Sequence, residues 1–169
     1  EARVRAVSSG LRALGVASEQ VCAILSSTRI EWILADYGIL FAGGATSTVY
    51  PSSTPEECAF ILSDSRTVVA FAEDETQVAK LAARRAELPR LHHVIVFDGA
   101  SSADGWLLSL ADLEERGRAW DRDHPGAFEE RAGEVRGNAL ATLIYTSGTT
   151  GRPKGVELTH SAWVRQSRA

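Results

Sequence analysis

The chain has 169 residues, 44% hydrophobic and 24% charged, with a formal net charge of −4. That balance belongs to a globular protein long enough to bury a core, and no basic stripe marks a nucleic-acid surface. No apolar run approaches the roughly 18 residues of a membrane-spanning helix, and no charged-then-apolar leader opens the sequence, so the cytoplasm is the expected compartment.

In chain order, Val4, Val7, Leu11 and Leu14 fall at helical spacing and predict an amphipathic helix over residues 3–14, closed by Gly15. Val21–Leu25 reads as a short buried strand. Thr28-Arg29-Ile30-Glu31 has capping-box spacing and opens a helix to about Phe41, ended by Gly43-Gly44. Arg29 and Glu31 on it are assigned to a solvated face with a local ion pair. Ala45–Tyr50 is a strand stopped by Pro51, and Thr54-Pro55-Glu56-Glu57 repeats the start signal, with Pro at the first helical position. That helix fades at Asp64-Ser65. Thr67–Ala72 is a strand, Glu75–Leu88 a helix and Val94–Phe97 a strand, with His92-His93 in the loop entering it. A helix over Leu108–Arg118 follows, then a charged excursion over Asp121–Gly137 with a turn of helix near Phe128–Ala132.

Alternating helices and strands with short connections predict an α/β fold, a mostly parallel sheet flanked by helices. Cys22 and Cys58 are expected to be buried reduced thiols, and the four histidines show no metal-ligand spacing.

Residues 139–158 carry the chemistry. An apolar run (Leu140, Leu143, Ile144, Tyr145) reads as a buried strand and breaks into Thr146-Ser147-Gly148-Thr149-Thr150-Gly151, four hydroxyls and two glycines in six residues. Lys154 follows between Pro153 and Gly155, and Val156–Leu158 resumes as a strand. Glycines let successive backbone N–H groups converge on one anion; hydroxyls add rotatable donors and can ligate a hard cation. Lys154 adds a compact mobile charge. A linker or phosphorylation segment has a similar composition but is rarely framed by two strand-like runs. The G-x-x-x-x-G-K-[ST] pattern is not met, because Pro153 and Val156 stand where its second glycine should fall. Glu157 is expected to face solvent. Thr159-His160-Ser161 reads as a cap into a last helix, and His160 is either a cap neighbour or a site contact.

Tyr145–Val156 resembles the phosphate-loop signature of the adenylate-forming (AMP-binding) superfamily: acyl-CoA synthetases, adenylation domains of peptide synthetases, and luciferases. The likeness extends back through the opening helix, Val21–Gly44, and Thr54–Ser65 with its strand; in the acyl-CoA synthetases this region resembles, the helix bearing Trp32 and Tyr37 is scaffold, which implies core or interface for both. With Leu158-Thr159-His160 following the loop, it is closest to bacterial long-chain fatty-acid–CoA ligases.

The resemblance implies that residues 1–169 are the N-terminal portion of an adenylation domain, with the phosphate loop at 145–156 and the C-terminal domain absent. It implies ATP, Mg²⁺ and coenzyme A as cofactor and co-substrates, and a fatty or other carboxylic acid as the group activated. Thr146, Ser147, Gly148, Thr149, Thr150, Gly151 and Lys154 become the ATP-contacting positions, with Thr149 the Mg²⁺ ligand and Lys154 and Thr149 the catalytic pair. Gly155, like Gly148 and Gly151, would be geometric.

The family's acid pocket and much of its nucleotide site lie beyond position 169, so the piece alone is expected to be inactive. Chain length of the acid, oligomeric state and loose membrane association are not fixed by these residues. An amino-acid or aryl-acid adenylation domain, a luciferase-like enzyme, a non-catalytic nucleotide-binding module and a scaffolding fragment are the alternatives.

Overall fold

Burial on both faces dictates the composition of the central strands. The computed structural model describes residues 1–146 and 153–166. The elements run α1 (Ala2–Ala13), β1 (Val21–Leu25), α2 (Ile30–Phe41), β2 (Ala45–Val49), α3 (Pro55–Asp64), β3 (Val69–Asp74) and α4 (Glu75–Ala83). They continue with β4 (His93–Asp98), β5 (Leu107–Ser109), α5 (Leu110–Asp123), α6 (Ala127–Glu134), β6 (Leu140–Thr146), β7 (Lys154–Thr159) and α7 (His160–Gln166). The strands form one sheet of order β5-β4-β3-β1-β2-β6-β7, parallel throughout except for the β6–β7 hairpin.

The chain leaves β1 for β2 on one side, then returns past β1 to β3 on the other. Right-handed crossovers in opposite directions put α2 and α3 on opposite faces. Side chains alternate accordingly. Cys22, Ile24, Val69, Phe71 and Ile95 meet Val7 and Leu11 of α1, Ile39 of α2 and Leu113 of α5. Ala23, Leu25, Ala70, Ala72 and Val94 meet Ile61 and Leu62 of α3 and Leu81 of α4. Each large side chain so buried contributes about 1.5–3 kcal/mol of transfer free energy.

Several boundaries differ from the sequence reading. Thr28 is not a helix cap: Arg29 takes the N-cap position in extended backbone (φ −148°, ψ 175°), without a side-chain cap bond. Glu31, the supposed partner of Thr28, instead accepts from Arg29 Nε at 2.6 Å. The same signal is correct at Thr54, whose Oγ1 accepts from Glu57 N at 3.2 Å while Glu57 returns the bond to Thr54 N at 2.8 Å. The predicted helix over 75–88 stops at Ala83 and passes into a 3₁₀ turn at Arg85–Glu87.

The strand β5 was invisible to periodicity because it has three residues, and α5 starts only after it. The run Leu140–Tyr145 is a strand but not a fully buried one: Leu143 is buried, whereas Ile144 is 39% exposed. Its position next to the sheet edge explains this. Both cysteines are free and buried, as expected, and no helix among the described residues is long and apolar enough to cross a membrane.

Helices α1 and α5 cross backbone to backbone. A Cβ at Gly117 would collide with the Ala6 carbonyl oxygen, and one at Gly10 with the Leu113 carbonyl oxygen. Ion pairs Arg3–Glu114 (2.7 Å) and Arg5–Asp121 (2.8 Å) flank the crossing. Gly117→Ala is therefore expected to destabilise the fold by about 3 kcal/mol through overpacking. Gly133→Ala in α6, where a Cβ meets open space, should stabilise by about 0.5–1 kcal/mol. Urea midpoints of the two variants check the opposite signs.

Candidate active site

The hydroxyl-rich loop is carried by a hairpin, and the hairpin is docked on the parallel sheet. Strand β6 pairs with β2 through Thr46↔Thr142 and Ser47↔Leu143, and Thr142 Oγ1 donates to the Thr46 carbonyl at 2.8 Å. Because β6 runs parallel to β2, it ends at the carboxyl edge of the sheet, where open α/β sheets place their ligands. Strand β7 returns antiparallel with Ile144↔Val156, Tyr145↔Gly155 and Thr146↔Lys154 opposite one another.

Residues opposite in an antiparallel pair project to the same face. Thr146 and Lys154 thus stand side by side at the mouth of the hairpin, both exposed, on the face opposite to Tyr145 and Gly155. Of the candidate loop residues, these two are the ones the structure brings together. Ser147, Gly148, Thr149, Thr150 and Gly151 lie outside the described residues. Among the described residues no carboxylate pairs with Lys154.

On the other face the hairpin leans on α3. The Tyr145 hydroxyl donates to Asp64 Oδ2 at 2.7 Å. Burial raises the phenol's pKa, and the Asp64 carboxylate raises it further, so the group stays a protonated donor through the physiological range. Pro153, at the other foot of the loop, borders a groove of about 540 Å³ with Phe60, Ser63 and Asp64 of α3. Sequence reasoning missed this arrangement: no local pattern pairs Tyr145 with a residue 81 positions away.

The carboxyl edge of β1, β3 and β4 is closed by charge. Glu73 accepts from Ser27 N (2.8 Å) and Ser27 Oγ (2.7 Å). Arg29 reaches Asp98 at 2.6 Å as well as Glu31, and lies 5.9 Å from the Phe97 ring centre. The guanidinium holds the Asp98 carboxyl below the ordinary carboxylate range by hydrogen bond and charge. Arg29 and Glu31 do form the expected local pair, but as part of this wider seal. Among the described residues no such ion pair closes the edge of β2, β6 and β7.

Behind the hairpin, between α2 and α7, lie two adjoining apolar concavities of about 670 and 580 Å³. Tyr37, Leu40, His160 and Val164 border both. His160 opens α7, and burial lowers its pKa. Trp32 packs partly buried against the core, Tyr37 is half exposed, and Glu157 faces solvent as expected. Asp36 accepts from Thr46 Oγ1 at 2.7 Å.

Comparison with known proteins gives this sheet and its hairpin a family. The AMP-binding enzyme family matches residues 1–169, the whole chain. The chain belongs to this family.

The long-chain-fatty-acid–CoA ligase FadD15 of Mycobacterium tuberculosis is 37% identical over 164 residues, covering 97% of this chain and 26% of that protein. The long-chain-fatty-acid–CoA ligase heimdall of Drosophila melanogaster is 32% identical over 175 residues, 99% of this chain and 25% of that protein. Among solved structures, the anthranilate CoA ligase AuaEII in complex with anthranoyl-AMP superposes with a TM-score of 0.82 at 27% identity, covering 99% of this chain and 30% of that one. The chain thus spans about a quarter of the length of the curated relatives it matches.

Burial raises the pKa of Asp36, and the Thr46 hydrogen bond only partly opposes it. The folded state therefore holds this proton more tightly than the unfolded chain. The resulting penalty is absent below the unfolded pKa and complete above the folded one. Asp36→Asn, whose amide oxygen still accepts from Thr46, should raise the thermal midpoint near neutral pH. The gain should fade as pH falls through the ordinary carboxylate range; a pH series of melting curves checks the sign.

Proposed function

We propose that the protein activates a long-chain fatty acid with ATP and transfers the acyl group to coenzyme A. The single observation that carries the reading is the hairpin, which sets Thr146 and Lys154 opposite one another at the carboxyl edge. They are the two feet of a loop built from hydroxyls and glycines. Membership of the AMP-binding family and the names of the 37%- and 32%-identical relatives support the acid and the thiol.

In this reading an acid carboxylate oxygen attacks the α-phosphorus, the bond to the bridging oxygen breaks, and pyrophosphate leaves with its electron pair. The thiol of coenzyme A then displaces AMP to give the thioester. The chain's own contribution is electrostatic. Lys154, exposed and unpaired among the described residues, suits a polyphosphate oxygen, and its charge counters the negative charge growing on the leaving group. Thr146, Ser147 and Thr150 donate hydroxyl hydrogen bonds, while Gly148 and Gly151 let the backbone approach.

No group of three or more His, Cys, Asp or Glu side chains among the described residues could hold a metal ion. Thr149 would supply a hydroxyl ligand to Mg²⁺, and the cation would offset charge on the triphosphate oxygens as pyrophosphate leaves. Residues 1–169 furnish the phosphate loop, and the complete reaction belongs to the whole protein. Aryl-acid activation is the second reading, favoured by the likeness to the anthranilate CoA ligase.

In the whole protein, Lys154→Ala is expected to lower kcat/KM for ATP by about a hundredfold while leaving the KM of the acid alone. Thr149→Val should slow the metal-dependent step more than it weakens acid binding. ATP–pyrophosphate exchange against a panel of fatty, aryl and amino acids reads both variants and the acid preference. Unchanged adenylate formation in both variants refutes the assigned roles, and no exchange with any acid favours a nucleotide-binding module without chemistry.

A further inference from the structure

We propose that Tyr145 and Asp64 are positioning residues, a brace that holds the β6–β7 hairpin, and with it Thr146 and Lys154 at the two feet of the phosphate loop, against α3 for attack at the α-phosphorus. The proposal rests on the reading of residues 145–156 as an ATP phosphate loop.

Four observations converge on it. Tyr145 directly precedes the first loop hydroxyl, and its phenol donates to Asp64 at 2.7 Å. The ring crosses Gly155 on the returning strand: a Cβ there would stand 3.1 Å from Tyr145 Cζ and 3.3 Å from its hydroxyl oxygen. Tyr145 therefore touches both strands of the hairpin and the helix beside it. The acceptor is rigidly held. Asp64 is the last residue of α3, whose first turn is locked by the Thr54–Glu57 capping box and whose Cys58, Ile61 and Leu62 are buried. Pro153, at the loop's other foot, borders the same stretch of α3 at Ser63 and Asp64.

The helix has no need of Asp64 for its own sake. A carboxylate in the last turn opposes the helix dipole, and that turn carries no basic residue to offset it. Its placement is accounted for by the phenol it receives. The bond crosses from one layer of the fold to the hairpin, so it constrains where Thr146 and Lys154 sit without reaching the reacting atoms.

The test uses the whole protein, ATP–pyrophosphate exchange, and a temperature at which circular dichroism shows every variant folded. Tyr145→Phe keeps the ring over Gly155 and deletes only the donor. It should raise the KM for MgATP and lower kcat, together by about tenfold in kcat/KM, with the KM of the acid unchanged. Asp64→Ala should do the same, and the double variant should be no worse than either single one, since both remove one interaction. Asp64→Asn keeps an acceptor oxygen and should recover most of the activity.

A lowered thermal midpoint with unchanged exchange kinetics in Tyr145→Phe and Asp64→Ala overturns the proposal, as does strict additivity in the double variant. Those results leave the phosphate-loop reading intact. Failure of the unaltered protein to exchange pyrophosphate with any acid removes that reading, and the brace with it.

Discussion

The parallel pairing of β6 on β2 is the constraint from which the candidate site follows. Thr46↔Thr142 and Ser47↔Leu143 are its whole register, reinforced by the Thr142 hydroxyl on the Thr46 carbonyl. A parallel β6 must finish at the carboxyl edge of the sheet, so the loop that follows it emerges there. An antiparallel β6 would have sent the same hydroxyls to the opposite edge. A slip of one residue would exchange the faces of Tyr145 and Thr146, turning the phenol away from α3.

The sheet treats its two halves differently. At β1, β3 and β4 the carboxyl edge is filled by Glu73 bonding Ser27 and by Arg29 bridging Glu31 and Asp98. At β2 and β6 nothing comparable spans the strand ends among the described residues, and an exposed lysine and threonine stand there instead. A phosphate chain is strongly hydrated and highly charged; it needs donors it can reach without breaking ion pairs already made. The open half offers such donors and the sealed half does not. The buried face beneath, with Leu143, Val21 and Ala45 packed together, gives the hairpin a firm base.

Much of this was legible in the residues. The β-strands around the switch point are short apolar runs, and the helices between them carry their own start and stop signals. Framing, not composition, separated the hydroxyl-rich segment from a linker: the two apolar runs beside it are the strands β6 and β7. The misreadings have physical causes. Thr28 and Thr54 begin the same four-residue pattern, yet only Thr54 caps. Pro55 presets the first helical φ there, whereas Arg29 is drawn outward by Asp98 and takes Glu31 with it. A three-residue strand such as β5 has no period to detect. The exposure of Ile144 reflects a neighbour relation, since an apolar run next to the last strand of a sheet reads the same as a central one. The Tyr145–Asp64 contact is of the same kind: it joins residues 81 apart, and only the fold brings them together.

The central claim is that the segment between Thr146 and Lys154 wraps a polyphosphate. Hydrogen exchange of its backbone amides in the whole protein, with and without MgATP, measures this most directly. The account predicts slowed exchange concentrated in residues 147–152 and the adjoining ends of β6 and β7, since the backbone N–H groups there become donors to phosphate oxygens. Nucleotide-dependent protection confined to another part of the protein, with these amides unchanged, would contradict it.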